Sequence, residues 1–229
     1  MTELLQISLL PVLVTLLAFR AGQLIQGKVK SPLCNPVLIA VILVLAFLSV
    51  SGMELSAYQN GMNFLSWLMT PATICLAISM YEQYQILRKN IGMILAGVAA
   101  GAIACLVMVL VLSLLFGFDR ELTVSLLPKS VTTAIGVPLC QMAGGIRSIT
   151  TAVIILTGIT ASVLGPTLCK IFRLTDPIAQ GAAFGTAGHV IGTAKATELD
   201  PLTGAVSSLS LVTAGLLTAI VLPLLTSFI

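Results

Sequence analysis

The chain alternates long aliphatic runs with short polar breaks. Eight runs stand out, at residues 4–26, 35–50, 62–81, 91–116, 122–142, 149–172, 179–195 and 204–228. A helix needs about 20 residues to span hydrocarbon, and most of the runs reach that length. The breaks carry the charges: Lys28 and Lys30, Glu54, then Glu82, Arg88 and Lys89, then Asp119, Arg120 and Glu121, then Lys170 and Arg173, and last Glu198 and Asp200. Arg20 lies near the end of the first run, where a long cationic side chain snorkels to the interface. The pattern predicts an all-α polytopic membrane protein of seven or eight transmembrane or re-entrant elements, with residues 1–229 forming one membrane domain.

Composition agrees. Hydrophobic residues make up 58% of the 229 and charged residues 8%, against about 25% charged in a soluble domain. Mean hydropathy is +1.11. The net charge of +3 is too small and scattered for a nucleic-acid partner; the bilayer is the partner the pattern predicts. Cys34, Cys75, Cys105, Cys140 and Cys169 are far apart and there is one histidine, so no metal site is expected. The first run lacks a basic segment and a small-residue cleavage site, and is read as a first transmembrane helix.

Three runs are not uniformly apolar. In 62–81, Pro71 is expected to interrupt the helix, with Thr70 and Thr73 flanking the break. Residues 179–195 read AQGAAFGTAGHVIGTAK and hold His189. The most broken stretch is 126–145, LLPKSVTTAIGVPLCQMAGG, with Lys129 directly after Pro128. Irregular backbone at membrane depth is tolerated only where protein buries it or it lines a cavity. An ionisable residue there is a functional-site hypothesis by default.

Shifting the chain by about 113 residues lays the second run on the sixth, the broken third on the seventh and the fourth on the eighth. Two pseudo-repeats follow, approximately 1–116 and 117–229. Such symmetry marks many secondary transporters, whose repeats are inverted and whose helices are broken. The positive-inside rule gathers Lys28 and Lys30, Arg88 and Lys89, and Lys170 and Arg173 on one side if residues 122–142 dip in and return. Eight full crossings are the simpler alternative.

Lys129 is read as an anion contact, with a structural ion pair or an interface lysine as the bland alternative. Ser130, Thr132 and Thr133 supply hydrogen-bonding hydroxyls beside it, and half-helix N-termini near the breaks add partial positive charge. His189 is either a packed, hydrogen-bonded histidine or a site residue, since Gly188 and Gly192 leave room around it; a proton-relay role suits its reference pKa of about 6.5. Thr193 joins this candidate binding set. Lys195 and Glu198 are three apart, so they pair on one helix face or act in coupling, as does Thr73. No nucleophile–base constellation, phosphate loop or dinucleotide fingerprint occurs. Neither an enzyme nor a cofactor is expected.

These motifs resemble the LrgB family, also called the CidB/YohK group, and the C-terminal half of the plastid glycolate/glycerate transporter. The resemblance is carried by LLPKSVTT (126–133), GGI (144–146), TGITASVLGP (157–166), GTAGHVIGTAKATE (185–198), GAVSSLSL (204–211) and PATICLAISMY (71–81). It covers essentially the whole chain. Ala134, Ser79 and Arg147 stand where the family usually has proline. The resemblance implies a multi-pass protein of the bacterial cytoplasmic (inner) membrane. It implies either transport of small monocarboxylate anions (glycolate, glycerate or pyruvate class) or an antiholin-like regulation of murein hydrolase export and lysis. A small LrgA-like membrane partner is implied in both, and homo-oligomerisation stays open.

Overall fold

A computed structural model describes residues 2–29 and 35–227, excepting the side chains of residues 2–8, 66, 69, 70, 72, 73, 76 and 79. The described residues are helical almost throughout and contain no strand. Among the described residues, four helices are long and apolar enough to cross a membrane: residues Leu9–Val29 of α1 (Thr2–Val29), α6 (Tyr84–Phe116), α9 (Arg147–Ile171) and α11 (Pro201–Thr226). The protein is therefore an all-α, multi-pass membrane protein. It divides into two compact units, Met1–Cys75 and Leu76–Ile229.

The first unit pairs α1 with α2 (Pro36–Ser51). Asn35 caps α2, its side chain accepting from Val37 N at 2.8 Å. A Cβ on Gly22 would lie 2.6 Å from the Pro36 carbonyl oxygen, so glycine lets the two backbones touch. The third run is not one interrupted helix. It is α4 (Asn63–Trp67) and α5 (Met69–Glu82), preceded by the short α3 (Leu55–Gly61), with α5 crossing the boundary between the units. The break falls before Pro71, which sits in the first turn of α5, where a missing N–H costs nothing. The side chain of Thr73 lies outside the described residues.

The second unit is built on α6, α9 and α11. Leu87, Ile94 and Val98 of α6 pack with Ala205, Val206 and Ala214 of α11, and Leu106 and Val109 further along α6 pack with Leu222 of α11, so these helices run in the same direction. The helix α9 runs the other way. Arg88, Lys89, Lys170 and Arg173 thus share one end of the unit, and Asp119, Arg120 and Arg147 the other.

Between the long helices lie two hairpins. The first enters as α7 (Arg120–Leu126), tightens into a 3₁₀ turn (Leu127–Ser130), and returns as α8 (Thr133–Met142). Pro128 leaves helical geometry at φ −82°, ψ 21°, and Val131 and Thr132 are extended. The arms meet at both levels: Arg120 donates to Ala143 O at 3.2 Å, and a Cβ on Gly136 would lie 3.3 Å from Pro128 O. Residues 122–142 are therefore re-entrant.

The second hairpin is the seventh run. In α10 (Pro177–Leu199), His189 takes φ 41°, ψ −137°. Residues eight apart in a straight helix are separated by roughly 12 Å. Here a Cβ on Gly192 would sit 2.6 Å from Phe184 O. Ala196 of the returning arm packs with Phe184 of the entering arm and Cys169 of α9. The expected crossing helix over 179–195 is thus two half-helices with His189 at the tip. Asp176 and Asp200 cap α10 and the following α11, accepting from Ile178 N at 2.6 Å and Thr203 N at 2.9 Å.

The hairpins enter from opposite ends and their tips meet halfway along α6. Ser130 lies 3.0 Å from Cys105 through its hydroxyl and the thiol sulfur. Thr186 lies against Gly101. On the far side Ile154 of α9 sits between the tips. Its Cδ1 faces Gly136, and its carbonyl oxygen meets His189.

Candidate functional site

The meeting point of the tips is the floor of a cleft of about 540 Å³ between α6 and the entering arm of α10. One wall is a helical stripe of α6: Met93, Ile94, Gly97, Gly101 and Cys105. The opposite wall is Ala179, Ala182, Ala183 and Ala187, with Thr186 among them. Small residues on both helices create the space, since larger ones at these spacings would close it. From Met93 to Cys105 the lining advances roughly 18 Å along α6. Asp176, at the start of α10, stands at the mouth, while Lys129 and Ser130 form the floor.

Lys129 is half-buried, and its ammonium lies 3.4 Å from Ser130 Oγ. Among the described residues no carboxylate lies within 4 Å of it; the ion pair that does form joins Lys195 to Glu198 at 2.8 Å. That arrangement disfavours the structural-pair reading of Lys129. It leaves the Lys129 ammonium without an ion-pair partner among the described residues. The tip also holds the start of α8, whose unpaired N–H groups carry the positive end of the helix dipole. The local field suits a small anion.

Of the residues singled out in the sequence, Lys129 and Ser130 line the cleft. Thr132 and Thr133 stay at the same tip but form the start of α8, and neither lines the cleft. His189 and Thr193 belong to the other hairpin's framework. His189 is buried with its Nε2 2.9 Å from Ile154 O. A carbonyl only accepts, so Nε2 carries the proton. Thr193 is fully buried, donating to His189 O at 2.8 Å and pairing with Ser207 Oγ at 2.8 Å. The glycines beside His189 leave no room for a ligand. A Cβ on Gly188 would meet Ala161 at 2.6 Å, and Gly192 admits the opposite arm. Lys195 and Glu198 pair on one helix face, away from the cleft.

Thr186, Cys105 and Asp176 also line the cleft, although none was singled out as a site residue in the sequence. Thr186 is 7% exposed, and its hydroxyl has no hydrogen-bond partner among the described residues. In the sequence it stood within the Gly- and Ala-rich run and the motif GTAGHVIGTAKATE, with no role of its own. No group of three His, Cys, Asp or Glu side chains suited to a metal occurs among the described residues.

Comparison with known proteins adds identity. The model of the LrgB-like family matches residues 15–228. The holin-like protein CidB from each of two strains of Staphylococcus epidermidis is 34% identical over 225 residues, covering 98% of both chains. No solved structure matches.

Proposed function

The chain belongs to the LrgB-like family, and from that premise we propose that it is a secondary carrier of small monocarboxylate anions in a bacterial inner membrane. One observation carries the reading: a cleft reaching mid-depth with the unpaired Lys129 at its floor. Small-molecule sites are concave and mostly apolar, with few placed polar groups. Carrier sites lie near the bilayer midplane, between discontinuous helices. The mouth opens at the end bearing Arg88, Lys89, Lys170 and Arg173, which the positive-inside rule makes cytoplasmic. The cargo is bound and released without chemical conversion. An LrgA-like small membrane protein completes the transporting unit.

The test is uptake of labelled glycolate, lactate or pyruvate into sealed proteoliposomes, with and without the co-expressed partner. Expected is saturable uptake that is stronger for the pair. Saturable uptake at equal rates with and without the partner removes the partner requirement. No uptake in either preparation removes the carrier reading.

A second reading, regulation of murein hydrolase export and lysis, rests on the holin-like name of the relatives. It requires no mid-depth cation. If murein hydrolase release responds equally to the wild-type chain and to Lys129→Ala, while uptake is absent, the second reading stands in place of the first.

A further inference from the structure

Beyond the cleft floor the second unit is closed. From Cys105 to the end of α6 at Phe116 is roughly 17 Å along the helix. Part of that length is filled by an apolar plug: Leu106 and Val109 of α6, Leu127 of the 3₁₀ turn, Leu139 of α8 and Leu222 of α11. Between floor and plug a niche of about 10 Å³ remains, bounded by Thr186 on one side and Leu106 and Leu127 on the other. It has room for about one water. Two polar groups do not fit a permanently closed core. Ser113 follows Ala102, Leu106 and Val109 on one buried face of α6, a turn beyond the plug. It is 2% exposed, and its hydroxyl has no hydrogen-bond partner among the described residues. Thr186, at the niche, is in the same condition. Buried polar groups are almost always satisfied, and a serine within a helix can bond to the carbonyl four residues back. The unsatisfied hydroxyls stand on either side of the plug.

The far end is fastened by Arg120. Its guanidinium donates to Ala143 O at 3.2 Å and to Thr226 O at 3.3 Å. One side chain thus ties both arms of the first hairpin to the end of α11. We infer that the second half of the carrier's path runs along this face of α6, from the niche past Ser113 to the Asp119 end, with the leucine plug as its gate and Arg120 as its latch. The inference rests on the carrier reading, which needs an exit at that end. Hydrophobic constrictions gate by dewetting. When Arg120 lets go of the two helix ends, the hairpin parts from α11 and water reaches Ser113 and Thr186. The freed guanidinium then faces the departing anion.

The experiment replaces the native cysteines by alanine, introduces Ser113→Cys, and applies a charged maleimide to right-side-out and inverted membrane vesicles. Position 113 should react from the Asp119 side and not from the Lys170 side. Adding Arg120→Ala should raise that rate about tenfold, the shift that follows from losing one charge-assisted hydrogen bond. Arg120→Lys, which keeps one donor in reach, should stay nearer the parent rate. No reaction from the Asp119 side, or reaction from the Lys170 side, overturns the half-path. A rate unchanged by Arg120→Ala overturns the latch. The parent rate decides the half-path even if Arg120→Ala does not fold, and Arg120→Lys then tests the latch through a smaller rise. Uptake of labelled lactate by wild-type proteoliposomes keeps the two readings apart. Uptake without reaction at position 113 removes the gate and leaves the carrier. Reaction without uptake removes the carrier and leaves a gated opening.

Discussion

His189 Nε2 donates to the carbonyl oxygen of Ile154 across 2.9 Å, binding the tip of the second hairpin to the middle of α9. Removing the ring deletes this bond between the tip and α9, a loss of about 0.5–1.5 kcal/mol. His189→Ala should therefore lower the thermal unfolding temperature in detergent. His189→Gln should recover part of the loss, because its amide nitrogen reaches a similar position. An unchanged temperature for the alanine variant would show that the bond does not hold the tip.

Gly181 and Gly97 make opposite predictions from the same substitution. A Cβ on Gly181 would lie 2.6 Å from Thr203 O, between the entering arm and α11. Gly181→Ala must push the arm outwards, at a cost of about 1–3 kcal/mol. Gly97, in the cleft wall, has nothing within 4 Å of that position. Gly97→Ala should stay folded. Size-exclusion profiles and unfolding temperatures measured side by side decide this.

Lys129→Ala should weaken the apparent affinity for a carboxylate cargo roughly ten- to a hundredfold, since a charge-assisted hydrogen bond contributes about 1.5–3 kcal/mol. Lys129→Arg should rescue only part, because a planar fork replaces a point charge. Arg20, exposed and bonded to Gln23 at 3.0 Å, serves as control, and Arg20→Ala should do little. Equal uptake by Lys129→Ala and wild type, at matched abundance, would return Lys129 to a structural role.

Cys105 gives a probe of access. It is half-buried and lines the cleft. In a variant where it is the one remaining cysteine, a charged thiol reagent should label it from the side bearing Lys170 and Arg173. Labelling should slow when lactate is present. Labelling only from the Asp119 side would reverse the assigned opening.

The helices were legible because long aliphatic runs are local signals. Lys129 was legible for a related reason: a lysine after a proline inside an apolar run has few innocent explanations. The return of the first hairpin showed in the charges, since only re-entry places Lys170 and Arg173 beside Arg88 and Lys89. The second hairpin was hidden. Its reversal falls at His189, a residue without proline's warning, inside a run of ordinary spanning length. Thr186 was hidden for a different reason. Its significance arises only where Gly101, Cys105 and Ser130 converge on it, and convergence of distant segments leaves no trace in local spacing. Pro71 misled because proline breaks a helix interior but fits a first turn.

The two hairpins also constrain how the protein enters its membrane during synthesis. Neither arm of either hairpin approaches the span of about 20 residues that lipid alone can hold, and each tip carries helix ends that hydrocarbon cannot solvate. Their shelter is α6, α9 and α11. The first hairpin leaves the ribosome before two of these helices exist, and the second before α11. Both must wait at the interface until their neighbours arrive, so α11, the last long helix in sequence, is the one that completes the site.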